Sequence, residues 1–236
     1  MSSVYLIRHG QAGTRDNYDS LSELGRAQAR RLGEYFAAEG IEFKTAISGA
    51  LRRQRETAAE VRCAYLCRGS HFPEVEVRSE WNEFDLDHVY RGIAPRLCED
   101  DPEFRAGYEQ MREEMLAGPE AAIHRRWTPC DMKVVESWIL GRYEYEGESW
   151  SGFCDRIRAC DLGTSGGGDI AVFTSATPAA IWAGMGLDVL DHRVLRMAGV
   201  LYNASYTVLR VRENQVRLFS LNNIPHLIDA SLRTHR

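Results

Sequence analysis

No apolar run in this 236-residue chain approaches the roughly 20 residues that a membrane-spanning helix requires. A basic excess is also missing: 29 Lys and Arg stand against 34 Asp and Glu, a formal net charge of -5. That balance argues against nucleic acid or a membrane surface as partner, while leaving room for a local basic pocket. Before the first apolar run at Val4 there is no charged segment followed by an apolar one, so no secretory signal is read and a cytoplasmic protein is expected. Internal repeats and low-complexity tracts are lacking. The cysteines at 63, 67, 98, 130, 154 and 160 do not form the paired spacings of a zinc site, and a chain of this size without a signal is a poor disulfide scaffold. Cys63 and Cys67 stand at i, i+4 and could hold half a metal site, but no matching pair follows. Reduced, mostly buried thiols and no metal are the expectation.

What is present is ordinary for a globular protein: 44% hydrophobic and 27% charged residues, in a length that suits a single domain over 1–236. Apolar runs alternate with amphipathic stretches, which predicts an α/β fold, a mostly parallel sheet with helices on both faces. Strands are expected near 3–8, 43–48, 74–78 and 169–175, with a closing pair near 204–212 and 215–221. Helices are expected at 22–39, 50–66, 149–161 and 176–185. Ser22 suits the N-cap of the first helix and Gly40 its left-handed exit. Residues 86–147 break the alternation. They carry helical periodicity around 103–117 and 131–146, with Pro119 as a helix start, and read as a helical insertion. The glycine-rich 163–169 stretch precedes a strand and lacks Gly-Lys-Ser/Thr, so it reads as a surface turn.

Arg8-His9-Gly10 follows the apolar run Val4-Tyr5-Leu6-Ile7 directly. A histidine is thereby placed at the C-terminal tip of a strand, the edge of an open α/β sheet where ligands collect, and Gly10 suits a sharp turn there. A neighbouring guanidinium disfavours imidazolium and keeps the ring nucleophilic, and it can also grip phosphate oxygens bidentately. Farther on, Ser48-Gly49-Ala50-Leu51-Arg52-Arg53 ends a second strand and opens a helix, bringing another cation and free N–H groups.

Taken in order, Arg8-His9-Gly10, Leu21-Ser22-x-x-Gly25-x-x-Gln28-Ala29, Ser48-x-x-Leu51-x-Arg53-x-x-x-Thr57-Ala58 and Trp81-Asn82-Glu83-Phe84-Asp85 resemble the histidine phosphatase superfamily, also called phosphoglycerate mutase-like. Asn203-Ala204-Ser205 and Asn223-Ile224-Pro225-His226-Leu227 add to the likeness, which spans nearly the whole chain outside the middle insertion. The resemblance implies a three-layer sandwich in which His9 takes up the phosphoryl group covalently. Arg8 and Arg53 hold the phosphoryl oxygens, and Glu83 serves as general acid in a setting that favours its protonated form, with Asp85 and Glu80 as alternatives. Insertions at 86–147 cap the pocket and set substrate choice in that superfamily. Gln11, Arg15, Ser175 and Thr177 are candidate substrate contacts, and no cofactor is implied.

Two departures from the pattern matter. The superfamily carries a second histidine after the fourth core strand, where this chain has Ala176 between Ser175 and Thr177. Losing one preorganised donor costs about 2.7–4 kcal/mol of transition-state stabilisation. Of the remaining histidines, His88 is the first to inspect as a replacement. Mutases of the superfamily also carry an Asn at the position of Arg15, which disfavours a mutase. The expectation is a phosphatase acting on a small phosphomonoester. Mutase-type transfer and a weakly active or inactive binder of phosphorylated ligands are the alternatives. A homodimer through the last strand is compatible with the sequence.

Overall fold

The computed structural model describes residues 2–118, 121–212 and 215–235. The helix start expected at Pro119 lies outside them. The chain divides into two compact units.

The first unit comprises Met1–Gly13, Asn17–Glu83 and Ile157–His235. Its strands are β1 (Ser2–Arg8), β2 (Phe43–Ser48), β3 (Val75–Val77), β4 (Gly168–Thr174), β5 (Tyr206–Arg212) and β6 (Gln215–Asn223). They form one six-stranded sheet in the order β3-β2-β4-β1-β5-β6. The first four strands run parallel, and β5 and β6 close the sheet antiparallel. Its α-helices include α1 (Glu23–Ala38), α2 (Arg52–Cys67), α7 (Ala176–Met185) and α8 (Asp191–Ala198).

Alternation along the central strands assigns the two faces. Ile7, Ala171 and Phe173 pack with Leu32 and Phe36 of α1 and with Val61 and Tyr65 of α2. Tyr5 adds edge-on contacts to Phe36 and Phe43 at 5.7 and 5.2 Å, a favoured aromatic geometry. Ser22 caps α1 by accepting the Gly25 N–H, and Gly40 leaves the helix at φ 67°. α2 begins at Arg52, behind a Leu51 cap with no capping side chain. α8 was not expected from the sequence: it is only eight residues long.

All six cysteines are free, as expected, but Cys63 and Cys67 are exposed on α2, so the thiols are less buried than the sequence suggested. Among the described residues no group of three or more His, Cys, Asp or Glu is placed to hold a metal, and no helix is long and apolar enough to cross a membrane.

Against the aromatic layer lies His226, buried beside Tyr35 and Tyr206. Burial pushes its pKa down to about 4. The unfolded chain takes up this proton near pH 6.5, so stability is lost as pH falls from about 6.5 towards 4. Between pH 7 and pH 5 the loss from this one group is about 2 kcal/mol. His226→Phe is expected to shrink the difference between urea unfolding free energies at those two pH values by that amount.

The second unit comprises Phe84–Arg156 with Thr14–Asp16. It is helical: α3 (Leu86–Asp100), α4 (Pro102–Met115), α5 (Pro129–Ile139) and most of α6 (Trp150–Arg158). Phe84, Trp138, Trp150 and Phe153 form its aromatic centre, with ring centroids 4.7–6.2 Å apart. Asp101 starts α4 by accepting the Phe104 N–H, with Pro102 following as a first-turn residue. The helix expected over 131–146 stops at Ile139, because Gly141 at φ 58° takes the left-handed exit.

Candidate active site

The C-terminal ends of β1 and β4 lie side by side, with Arg8 in register with Thr174. The His9 N–H donates to Thr174 O at 2.9 Å, and His9 O accepts from Ala204 N at 3.1 Å and Asn203 Nδ2 at 3.4 Å. These bonds fix the backbone of His9 from two neighbouring segments. Gly10 is required here for closeness: a Cβ on it would stand 2.3 Å from Gly25 O. Its φ is not positive, so the turn the sequence suggested gives way to a backbone contact between the strand end and α1.

The imidazole of His9 is buried. Nδ1 lies 2.7 Å from Gly10 O, which makes Nδ1 the protonated nitrogen and leaves a lone pair on Nε2. Towards that lone pair Arg53 Nε donates at 3.3 Å. Burial first, then the charges of Arg53 and Arg8, hold the His9 pKa well below the usual histidine value. The ring is therefore neutral at physiological pH.

Arg53 is brought to His9 by the first turn of α2, and a web of side chains sets it there. Asp19 Oδ1 accepts from Arg53 Nη1 at 3.1 Å, and the Asp19 carboxylate also takes the N–H groups of Arg52 at 3.0 Å and Arg53 at 3.3 Å. The Tyr18 ring faces the guanidinium at 4.8 Å. One turn on, Thr57 Oγ1 donates to Arg53 O and accepts from Gly10 N. Arg52, by contrast, is exposed and pairs with Glu56. Asp19 thus performs the capping that Leu51 cannot. Asp19→Ala is expected to lower stability by about 1 kcal/mol, measured as a shift in the urea midpoint at constant slope.

Arg8 is buried, and its terminal nitrogens donate to Leu201 O and, at 2.5 Å, to His235 O. The sequence put both arginines on the phosphoryl oxygens. Both charges do bear on His9, but the hydrogen bond to its ring comes from Arg53.

Glu83 follows a short 3₁₀ turn (Ser79–Trp81) and reaches α7: its Oε2 accepts the Thr177 N–H at 3.1 Å. Ser175, the N-cap residue of α7, accepts from Gln54 Nε2 at 2.9 Å through its hydroxyl. Glu83, Ser175 and Thr177 thereby meet at one end of β4. Gln11 is turned elsewhere: its Oε1 accepts from Ser22 Oγ, and its backbone braces Ser22 and Gln28.

Arg15 is tied down within its own unit. In the helical unit its guanidinium forks onto the fully buried Asp131, with Nη2–Oδ2 at 2.6 Å, and also donates to Ile123 O and Arg126 O. Together these partners engage Nε, Nη1 and Nη2 of Arg15. Asp85, an alternative acid, caps α3 through the His88 N–H, and exposed His88 packs edge-on against Tyr145. Asp19, Tyr18 and Gln54 were not singled out in the sequence, and Thr57 was named only as a motif position. The one signal for Asp19 was a helix start at Arg52 with no polar cap of its own.

The model of the Histidine phosphatase superfamily (branch 1) matches residues 4–115, a stretch that holds His9, Arg53 and Glu83. The solved structures similar to this chain share its fold. Phosphoglycerate mutase from Bacillus anthracis has a TM-score of 0.60 at 17% identity, over 95% of this chain and 94% of that one. Mycobacterial glucosyl-3-phosphoglycerate phosphatase gives 0.55 at 23% identity, over 93% and 98%. A phosphoserine phosphatase from Entamoeba histolytica gives 0.54 at 15% identity, over 97% and 100%. At these identities the likeness is one of fold. No curated protein matches the chain.

Proposed function

We propose that this protein is a phosphatase that hydrolyses small phosphomonoesters through a phosphohistidine on His9. The observation that carries the reading is the state of that ring: buried, neutral, with Nδ1 tied to Gly10 O and the Nε2 lone pair beside the Arg53 guanidinium. Such a nitrogen is a ready nucleophile, and the adjacent cation stabilises charge on the phosphoryl oxygens as the bond to phosphorus forms. The charge that a metal supplies in other phosphatases comes here from Arg53 and Arg8. Glu83 stands with Thr177 at the α7 end of the site and supplies the carboxylate for proton transfer.

Acid-free quenching of the protein during turnover of an aryl phosphate tests the intermediate. The expected product is a phosphorylated peptide containing His9, acid-labile and alkali-stable. Turnover with no label on that peptide in rapid-quench samples would reject the covalent route.

A further inference from the structure

The first turns of α2 hold Arg53 and Thr57, and its far end holds chemistry of another kind. Cys63 and Cys67 stand one turn apart there, both exposed, with their Sγ atoms 4.0 Å from each other. The hydrogen bond between the thiols pushes the Cys63 thiol up, which makes it a poor nucleophile on its own near neutral pH. Such a pair can close a disulfide or share a third atom. A disulfide needs Cβ atoms roughly 3.5–4.5 Å apart, whereas residues at i and i+4 of a helix hold them about 5–6 Å apart. Closing that bond would unwind the end of α2, which is seated by buried Val61 and Tyr65 and by the Tyr65 hydroxyl on Ile41 O at 2.9 Å. Bridging by one atom asks for no such change. Two thiolates bound at about 2.3 Å to a tetrahedral centre stand about 3.8 Å apart, close to the 4.0 Å found. The helix therefore presets both sulfurs for one soft centre. Glu60, the acidic residue one turn before Cys63, is committed to Arg26 and Arg30. Among the described residues no group of three or more His, Cys, Asp or Glu is placed to hold a metal. A cation that needs four protein ligands is thus not served, while a centre that brings its own third substituent is.

We propose that Cys63 and Cys67 form a dithiol site for trivalent arsenicals, bound as a cyclic dithiolate. The hydrated ligand, R–As(OH)₂, exchanges two As–O bonds for two As–S bonds. Both thiol protons leave with the hydroxyl groups as two waters, and no electron is transferred. The first As–S bond makes the second intramolecular, and linking of that kind is worth about 10²–10⁴-fold in affinity. The site is independent of the phosphatase reading.

Phenylarsine oxide is the probe, added to the full reduced chain in the presence of a large excess of a monothiol. Trypsin leaves both cysteines in one peptide, residues 63–68, apart from the other four, so intact mass and peptide mapping locate the arsenic. The expected result is one equivalent per chain on that peptide, retained against the monothiol and released by a competing dithiol. Cys63→Ala and Cys67→Ala are each expected to weaken retention by about 10²–10⁴-fold. Both positions are exposed, so the urea midpoints of the variants should match the wild type. Single variants that hold the probe as tightly as the wild type overturn the proposal. So does arsenic found on the peptides of Cys98, Cys130, Cys154 or Cys160 in place of 63–68, or a wild-type chain that surrenders the probe to the monothiol.

Discussion

His9→Ala is expected to reduce turnover of an aryl phosphate by at least about a thousandfold, the scale on which losing a nucleophile is felt. The physical case is that among the described residues no other side chain donates or accepts at Arg53 Nε in its place. The imidazole is a buried neutral base against Arg53, and its orientation is fixed by the bond from Nδ1 to Gly10 O and by the Arg53 Nε donor at Nε2. Removing the ring leaves the strand intact, because the main chain of residue 9 is held by Thr174, Ala204 and Asn203. The charge balance is also unchanged, since the wild-type ring is neutral near pH 7. Inorganic phosphate should therefore still bind the variant through the arginines, and the loss should appear in kcat. The same neutral ring fixes the pH dependence: a depressed pKa keeps Nε2 unprotonated as pH falls below the ordinary histidine value, so acid down to that value does not silence the nucleophile. Steady-state kinetics of the two proteins, with urea midpoints as a control on folding, decides the matter. A variant that keeps a tenth of wild-type turnover removes His9 from the mechanism.

What the sequence made visible, and what it hid, follows from the range of the forces involved. The parallel strands were legible because each is a short apolar run whose alternation survives any tertiary context, as in Val4-Tyr5-Leu6-Ile7. The ends of α1 were legible because Ser22 and Gly40 act within their own turns. α3 was not, since Gly92 and Pro95 interrupt its pattern, and only its packing in the helical unit overrides them. The site divides in the same way. His9 sits at a strand end that local pattern reveals, whereas Arg53 was singled out from Arg52 and Arg55 by the family resemblance. Asp19 acts on a helix that begins 33 residues later, and Gln54 reaches Ser175 across 121 residues. Contacts of that kind leave no local trace. Arg15 shows the same limit, since its partner Asp131 stands 116 residues away along the chain.

That partner carries the largest stability prediction. Asp131 is fully buried and accepts from Arg15 Nη1 and Nη2, Tyr90 Oη, Thr128 N and Thr128 Oγ1 at 2.6–3.1 Å. Burial works against its charge, yet Arg15, Tyr90 and Thr128 together hold its carboxyl below the usual range. The same burial, with Asp131 alongside, pushes the Tyr90 hydroxyl up. Arg15→Leu removes the guanidinium that forks onto this buried carboxylate, and breaking a buried pair from one side costs about 3–5 kcal/mol. The sign with pH is distinct. In the variant the folded-state pKa of Asp131 rises above its unfolded value, so the penalty is complete near pH 7 and shrinks as acid protonates the buried carboxyl. Asp131→Asn should also destabilise, because it strands a buried guanidinium. Combining it with Arg15→Leu should cost less than the sum, since neither charge is then left alone. Urea unfolding of the two single variants and the double variant at pH 7 and pH 5 measures all of this. Wild-type stability of Arg15→Leu with a raised KM would instead return Arg15 to the substrate.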